Sequence, residues 1–262
     1  MRVLALLDGT LANPDAPLIR VDDLGLMRGD GIFETVLVVD GKPRELGPHF
    51  DRLVRSAAML DLPTPDRAGF DRATRAILDA WTGGNEMALK WVYTRGVEGG
   101  DGTPTGFALG LEIAEKVKKQ RAEGIAAITL ERGIDNGLAA RAPWLLLGAK
   151  TLSYAVNMAA LREAERRGAA EVIFTTSDNH VLEGPTSTLV AAGHARVVAT
   201  GEMKVCGLDH RVNGSRPPVL HSGLPGAGER RSERDDRLPQ AVPHAGHLLH
   251  RMFGRPVRRP DE

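Results

Sequence analysis

A chain of 262 residues is long enough for one large or two modest domains around a sizeable buried core. Its 42% apolar and 26% charged residues exclude a collagenous, coiled-coil or wholly disordered chain, and 34 basic against 34 acidic side chains leave no global field to draw in nucleic acid or an anionic membrane. The one cysteine, Cys206, forms no internal disulfide and completes no zinc cage, which fits a reducing compartment.

The apolar run Val3 to Leu7 stops at Asp8, too short for a signal segment or a membrane span, and predicts a cytoplasmic chain. Phe33 to Val39 is β-branched and closes on the turn dipeptide Asp40-Gly41, which predicts a strand entering a hairpin. From His49 the period changes: Phe50, Leu53, Val54, Ala57 and Ala58 share one helical face. A second helix is predicted with Thr64 as N-cap, Pro65 at its first position, and the stripe Phe70, Ala73, Ile77, Trp81 running to Gly83-Gly84. Ala88 to Tyr93 and Phe107 to Ile113 read as strands on either side of a glycine-rich loop, Gly96 to Gly106. Residues 116–123 are charged and poor in apolar side chains, so they read as a linker between domains 1–115 and 124–204. Beyond it, Ile125 to Leu130 reads as a strand and Tyr154 to Arg167 as a helix stopped by Gly168. Glu171 to Thr176, Ser177-Asp178-Asn179 and Val181-Leu182 read as a strand, a tight turn and a returning strand. Strands mixed with helices and hairpins predict an α+β (mixed α/β) protein of two subdomains.

Residues 205–262 differ in composition: ten arginines and no lysine, seven prolines, five of the eight histidines, and no isoleucine, threonine, tyrosine or tryptophan. No helix or strand period is sustained there, which predicts a poorly ordered tail. A shifted reading frame, a degenerated C-terminus and a natural disordered tail all fit this shift. His244, His247 and His250 share a helical spacing, but no carboxylate or cysteine completes a metal site. Gly99-Gly100-Asp101-Gly102 lacks the lysine of a phosphate-binding P-loop.

Chemistry-bearing residues fall in two blocks. The first is Arg28-Gly29-Asp30-Gly31-Ile32-Phe33-Glu34-Thr35, followed by His49-Phe50-Asp51-Arg52-Leu53-Val54-Arg55-Ser56. The second is Gly148-Ala149-Lys150-Thr151-Leu152-Ser153-Tyr154, followed by Glu171-Val172-Ile173-Phe174 and Val181-Leu182-Glu183-Gly184-Pro185-Thr186-Ser187-Thr188. In this order the blocks resemble the class IV aminotransferases, the fold-type IV pyridoxal-phosphate enzymes that include branched-chain and D-amino-acid aminotransferases and aminodeoxychorismate lyase. The resemblance runs over about residues 1 to 190.

The resemblance implies pyridoxal 5'-phosphate as cofactor and Lys150 as the lysine that carries it as a Schiff base and then moves protons. It makes Glu183 the carboxylate aimed at the pyridine nitrogen and Arg52 the partner of the cofactor phosphate. Gly184, Thr186, Ser187 and Thr188 become phosphate-side ligands, although the family usually carries asparagine at the position of Thr188. Phe33 and Thr35 line the substrate side, and Arg95, in Tyr93-Thr94-Arg95-Gly96, matches a position used for a substrate carboxylate. The family's second phosphate loop has only a faint counterpart in Ser222 to Gly226, so the larger domain reads as incomplete or degenerate at its C-terminus. The implied reaction is that of aminodeoxychorismate lyase, making 4-aminobenzoate and pyruvate for folate synthesis. An amino-acid aminotransferase of D-amino-acid or branched-chain type and a catalytically impaired remnant are the alternatives. A homodimer that takes a small amine or amino acid is implied as well.

Overall fold

The nine residues Gly31–Val39 (β3) are extended because β-branched and aromatic side chains suit a pleated surface, and their hairpin closes through Asp40 and Gly41, both at positive φ (50° and 70°), onto Lys42–Pro43 (β4). In the computed structural model, which describes residues 1–135, 137–178, 180–192, 197–199 and 219–221, β3 lies in a six-stranded antiparallel sheet. The other strands are Arg2–Leu6 (β1), Leu11–Ala12 (β2), Glu86–Thr94 (β5) and Thr105–Glu112 (β6), in the order β2-β1-β6-β5-β3-β4. The short helix Leu24–Arg28 (α1) precedes β3.

Pairing of β3 with β5 runs from Gly31 opposite Thr94 to Val39 opposite Glu86. That register puts Ile32, Val36 and Val38 on the same face as Met87, Leu89 and Trp91, and helices Leu46–Met59 (α2) and Arg67–Ala80 (α3) supply the other half of this core. Trp91, Phe70, Ile32, Leu53, Ile77 and Leu89 are wholly buried there, each contributing about 1.5–3 kcal/mol by leaving water. The Trp91 indole N–H donates to Thr74 Oγ1 at 3.0 Å, which satisfies the one polar atom that packing would otherwise strand.

Two helix starts differ from the sequence expectation. Helix α2 begins at Leu46, three residues before His49, and it buries Ser56 where Ala58 was expected, while Ala58 is exposed. Helix α3 is capped by Asp66, whose carboxylate accepts from the Ala68 and Gly69 N–H groups, so Thr64 and Pro65 stay outside it. A carboxylate that satisfies two of the orphaned first-turn donors makes the stronger cap.

The chain divides into two compact units, one of residues 1–118 and 144–156, the other of 119–143 and 157 onward. The expected linker 116–123 is instead part of a helix, Glu115–Glu123 (α4). Residues 144–156 were expected in the larger domain but belong to the first unit, because their backbone hydrogen-bonds with β3 and α2.

In the second unit Ala127–Glu131 (β7) pairs in parallel with Glu171–Thr175 (β8). The short helix Leu138–Arg141 (α5) follows β7. Helix Ala155–Arg166 (α6) starts in the first unit and packs Ala160 and Ala164 against Val172 and Phe174 of β8. Thr188–Ala192 (β9) is the middle strand of a sheet with Val197–Ala199 (β10) and Val219–His221 (β11). The pairing of β11 corrects the expectation of an unstructured tail for residues 219–221, where Val219 and Leu220 form a short β-prone run. The rest of the expected tail, the Ser222 to Gly226 loop, Cys206, the three spaced histidines and Asn179 lie outside the described residues.

Candidate functional site

Neighbouring residues of a strand point to opposite faces, so Phe33 and Glu34 part company although they sit side by side in sequence. Glu34 enters the helix-covered core and is completely buried. There it accepts Arg52 Nε and Nη2, both at 2.6 Å, and pairs with His49 Nδ1 at 2.8 Å. Arg52 and His49 stand three residues apart on α2, within reach of one carboxylate. Burial pushes the Glu34 carboxyl up, but the hydrogen bonds and positive charge of Arg52 and His49 together hold it below the ordinary value.

Phe33 and Thr35 take the other face, where both are half-buried. The segment bearing Lys150 runs antiparallel along the edge of β3, with Thr151 opposite Ile32. The Phe33 N–H donates to the Lys150 carbonyl at 3.1 Å, Leu152 N–H to the Gly31 carbonyl at 2.8 Å, and Lys150 N–H to the buried Ser56 hydroxyl at 3.1 Å. These bonds hold the lysine backbone to both β3 and α2. Its Nζ lies 4.4 Å from the centre of the Phe33 ring and 5.8 Å from that of Tyr154, and the two rings meet edge to face at 5.3 Å. An amine held over aromatic faces has apolar walls to steer it.

Arg95 is committed elsewhere in the same unit. Its Nε and Nη2 reach Asp30 at 2.6 and 3.3 Å, Nη2 also donates to the Leu60 carbonyl at 2.5 Å, and Nη1 to the Asp61 carbonyl at 3.3 Å. The guanidinium therefore clamps the loop before β3 to the end of α2, and a substrate carboxylate would have to compete with Asp30.

In the second unit Val181 to Glu183 returns beside β8, with Leu182 N–H donating to the Phe174 carbonyl at 2.7 Å and Phe174 N–H to the Glu183 carbonyl at 3.3 Å. Glu183 is half-buried. A tight turn follows, closed by Gly184 N–H on the Ser187 carbonyl at 2.9 Å. A Cβ on Gly184 would lie 2.4 Å from Ser187 Oγ and 2.7 Å from the Val172 carbonyl, so the backbone approach admits only glycine. Asn157 supports the turn from α6, donating to the Pro185 carbonyl at 3.0 Å while accepting Arg132 at 2.8 Å. Ser187 Oγ is buried without a hydrogen bond of ordinary geometry, although it is close enough to Glu171 to pull on that carboxylate. Glu171 itself is buried at the start of β8, and burial pushes its carboxyl up against the pull of the Val172 N–H.

These residues fit pyridoxal phosphate. Each unit is suited by itself: the first carries a primary amine at an aromatic wall, a group that condenses with an aldehyde, and the second carries a glycine turn with a buried hydroxyl still lacking a well-formed bond, the kind of donor an anion recruits. Lys150, Phe33, Arg52, Glu183, Gly184 and Ser187 are expected from the sequence, whereas Glu34, His49, Ser56, Tyr154 and Glu171 gain their roles only from the structure. The available signals were a charge inside a β-branched strand and the His49/Arg52 spacing.

Comparison with known proteins places the chain. The family profile described as amino-transferase class IV matches residues 31–207. A bifunctional aminodeoxychorismate lyase / D-amino acid transaminase of Mycobacterium tuberculosis is 46% identical over 188 residues, 71% of this chain and 65% of that protein. A chloroplastic D-amino-acid transaminase of Arabidopsis thaliana is 28% identical over 193 residues, 69% of this chain and 48% of that protein. The chain thus spans about half to two thirds of the length of these curated relatives. Among solved structures, a hypothetical aminotransferase from Mycobacterium tuberculosis in a PLP-bound form superposes with a TM-score of 0.71 at 44% identity, covering 73% of this chain and 68% of that one. The match to the family profile, the fold and the order of the site residues together make this chain a member of the class IV aminotransferases, a family of pyridoxal-phosphate enzymes with the fold-type IV architecture.

Proposed function

We propose that the chain is a pyridoxal-phosphate-dependent aminodeoxychorismate lyase that also accepts amino acids for transamination. The observation carrying this reading is the posture of Lys150, whose amine is aimed over Phe33 while its backbone carbonyl and N–H are both hydrogen-bonded, to β3 and α2. The 46% identity to a relative that bears both activities favours keeping the two reactions together.

When bound, the cofactor supplies an aldehyde for amines and a ring that withdraws electrons from the substrate carbon. Lys150 Nζ takes the proton from the amine-bearing carbon of 4-amino-4-deoxychorismate. The bond to the enolpyruvyl oxygen then breaks, the ring becomes aromatic as 4-aminobenzoate, and the enolate takes up a proton to leave as pyruvate. In transamination Lys150 Nζ would hold the same proton and return it rather than let a leaving group depart. Glu183 would keep the pyridine nitrogen protonated, Arg52 and the Gly184–Thr188 turn would hold the phosphate, and Phe33 and Thr35 would shape the substrate side. Exposed apolar side chains on the first unit, Val21, Leu26, Met27 and Trp144, are consistent with a homodimer, and the lyase reading places the protein in cytoplasmic folate synthesis.

Borohydride reduction of cofactor-saturated protein, followed by peptide mapping, is expected to find the cofactor on Lys150. An adduct on Lys90 or Lys204, or none at all, overturns the assignment. Turnover of 4-amino-4-deoxychorismate and of an amino-acid panel with a keto-acid acceptor then separates lyase, transaminase and inactive remnant.

A further inference from the structure

We infer that Glu171 is a positioning residue for the 183–188 turn: by taking the Thr186 hydroxyl proton it makes Thr186 a structural clasp and leaves Ser187 as the hydroxyl directed to the cofactor phosphate. The inference rests on the pyridoxal-phosphate reading for its second half only.

Three contacts converge at the start of β8. Glu171 Oε1 accepts the Val172 N–H at 2.9 Å, which curls the side chain back along its own strand. Oε2 accepts the Thr186 Oγ1 proton at 3.3 Å, although the Thr186 residue as a whole is exposed. The carboxylate also stands beneath Gly184, where an added Cβ would come within 3.4 Å of Oε1. An ionised carboxylate only accepts, and a threonine hydroxyl has a single proton. While that proton points to Glu171, Thr186 presents lone pairs to any anion and cannot donate to it. Ser187 is different in geometry: its buried hydroxyl lies close enough to Glu171 to lower that carboxyl but forms no bond of ordinary geometry with it, so it can turn its proton to an anion. The strand and the turn thus each give the carboxylate one hydrogen bond.

The test is a double-mutant cycle on the full chain, Thr186→Val and Glu171→Ala, read in two ways. Thermal melting of the cofactor-free protein measures the clasp, and absorbance titration with pyridoxal phosphate measures binding. Each single variant is expected to melt lower than wild type, and the double variant no lower than the worse single, because both remove one contact. Cofactor Kd should rise about two- to tenfold and by a similar factor in both, the worth of one net hydrogen bond. Thr186→Ser should restore both readouts. Ser187→Ala should raise Kd with little change in melting. If Thr186→Val raises Kd while leaving melting unchanged, and Glu171→Ala does neither, Thr186 touches the phosphate and the inference is overturned. Should wild type fail to bind pyridoxal phosphate, the functional reading falls, yet the melting cycle still decides the clasp.

Discussion

Replacing Glu34 by glutamine keeps the shape of the side chain and removes its charge from a place water does not reach. The carboxylate now receives two bonds from Arg52 and one from His49. In Glu34→Gln the amide oxygen can still accept one guanidinium N–H, but the amide NH2 then faces the other Arg52 donor, and two donors cannot bond. His49 loses less, because an imidazole without its second proton can accept from the amide at Nδ1, a course closed to a guanidinium. The cost therefore falls on Arg52. Removing one partner of a buried pair costs about 3–5 kcal/mol, and Arg52 keeps 27% of its side chain exposed, so water recovers part of its solvation and the low end applies, about 3 kcal/mol. At roughly 3 °C per kcal/mol for a chain of this size, the melting midpoint should fall by about 10 °C. Circular-dichroism melts of the wild type, Glu34→Gln and the double variant Glu34→Gln/Arg52→Met measure it. The double variant should recover part of the loss, since the guanidinium that has lost its carboxylate is gone. A single variant that melts within about 2 °C of wild type, or a double variant whose loss is the sum of both singles, would refute the view that Glu34 exists to hold Arg52.

Two further outcomes follow from the same geometry. Arg95→Ala should lower the melting midpoint by several degrees through loss of the Asp30, Leu60 and Asp61 bonds, with KM for the substrate changed less than about threefold; a large KM rise at unchanged melting would instead return Arg95 to the substrate. The two buried glutamates should give opposite pH signatures in urea melts. Glu34 lies below the ordinary 4.5, so the stability it contributes is complete above 4.5 and is lost as pH falls through its lower folded value. Glu171 lies above 4.5, so its contribution is complete below that pH and is lost as pH rises through its folded value. Glu171→Gln should accordingly gain on wild type as pH rises from 4.5, while the deficit of Glu34→Gln is constant at neutral pH and shrinks only in acid. Differences that move in the same direction would contradict the assigned environments.

Much of the fold was legible because it rests on local rules. The stripe Phe70, Ala73, Ile77 did mark the buried face of α3, and Asp40-Gly41 did close the hairpin after β3. Where the structure departs, a competing local group or a distant partner decides. Asp66 displaced Thr64 as cap because its carboxylate reaches two N–H groups. The placement of residues 144–156 was invisible, since it depends on hydrogen bonds from Lys150 to residues about a hundred positions earlier, which no window of sequence contains.

The run Phe33-Glu34-Thr35 shows how a motif can be read correctly and understood by half. As a string it marks a family block, and its aromatic and hydroxyl residues suggest a lining. Only the strand's alternation reveals that its middle member faces the opposite way. Phe33 lies under the Lys150 amine, and Glu34, one residue on, holds the arginine and histidine of α2 from the core side. The same strand also gives the Phe33 N–H to the Lys150 carbonyl. A shift of the strand by one residue would thus turn the aromatic wall into the core, expose the anion that Arg52 and His49 need, and unseat the lysine. The buried ion pair has a use that its modest stability alone would not explain: a charge that finds its partners in only one register helps to specify that register, and with it the surface against which the lysine is held.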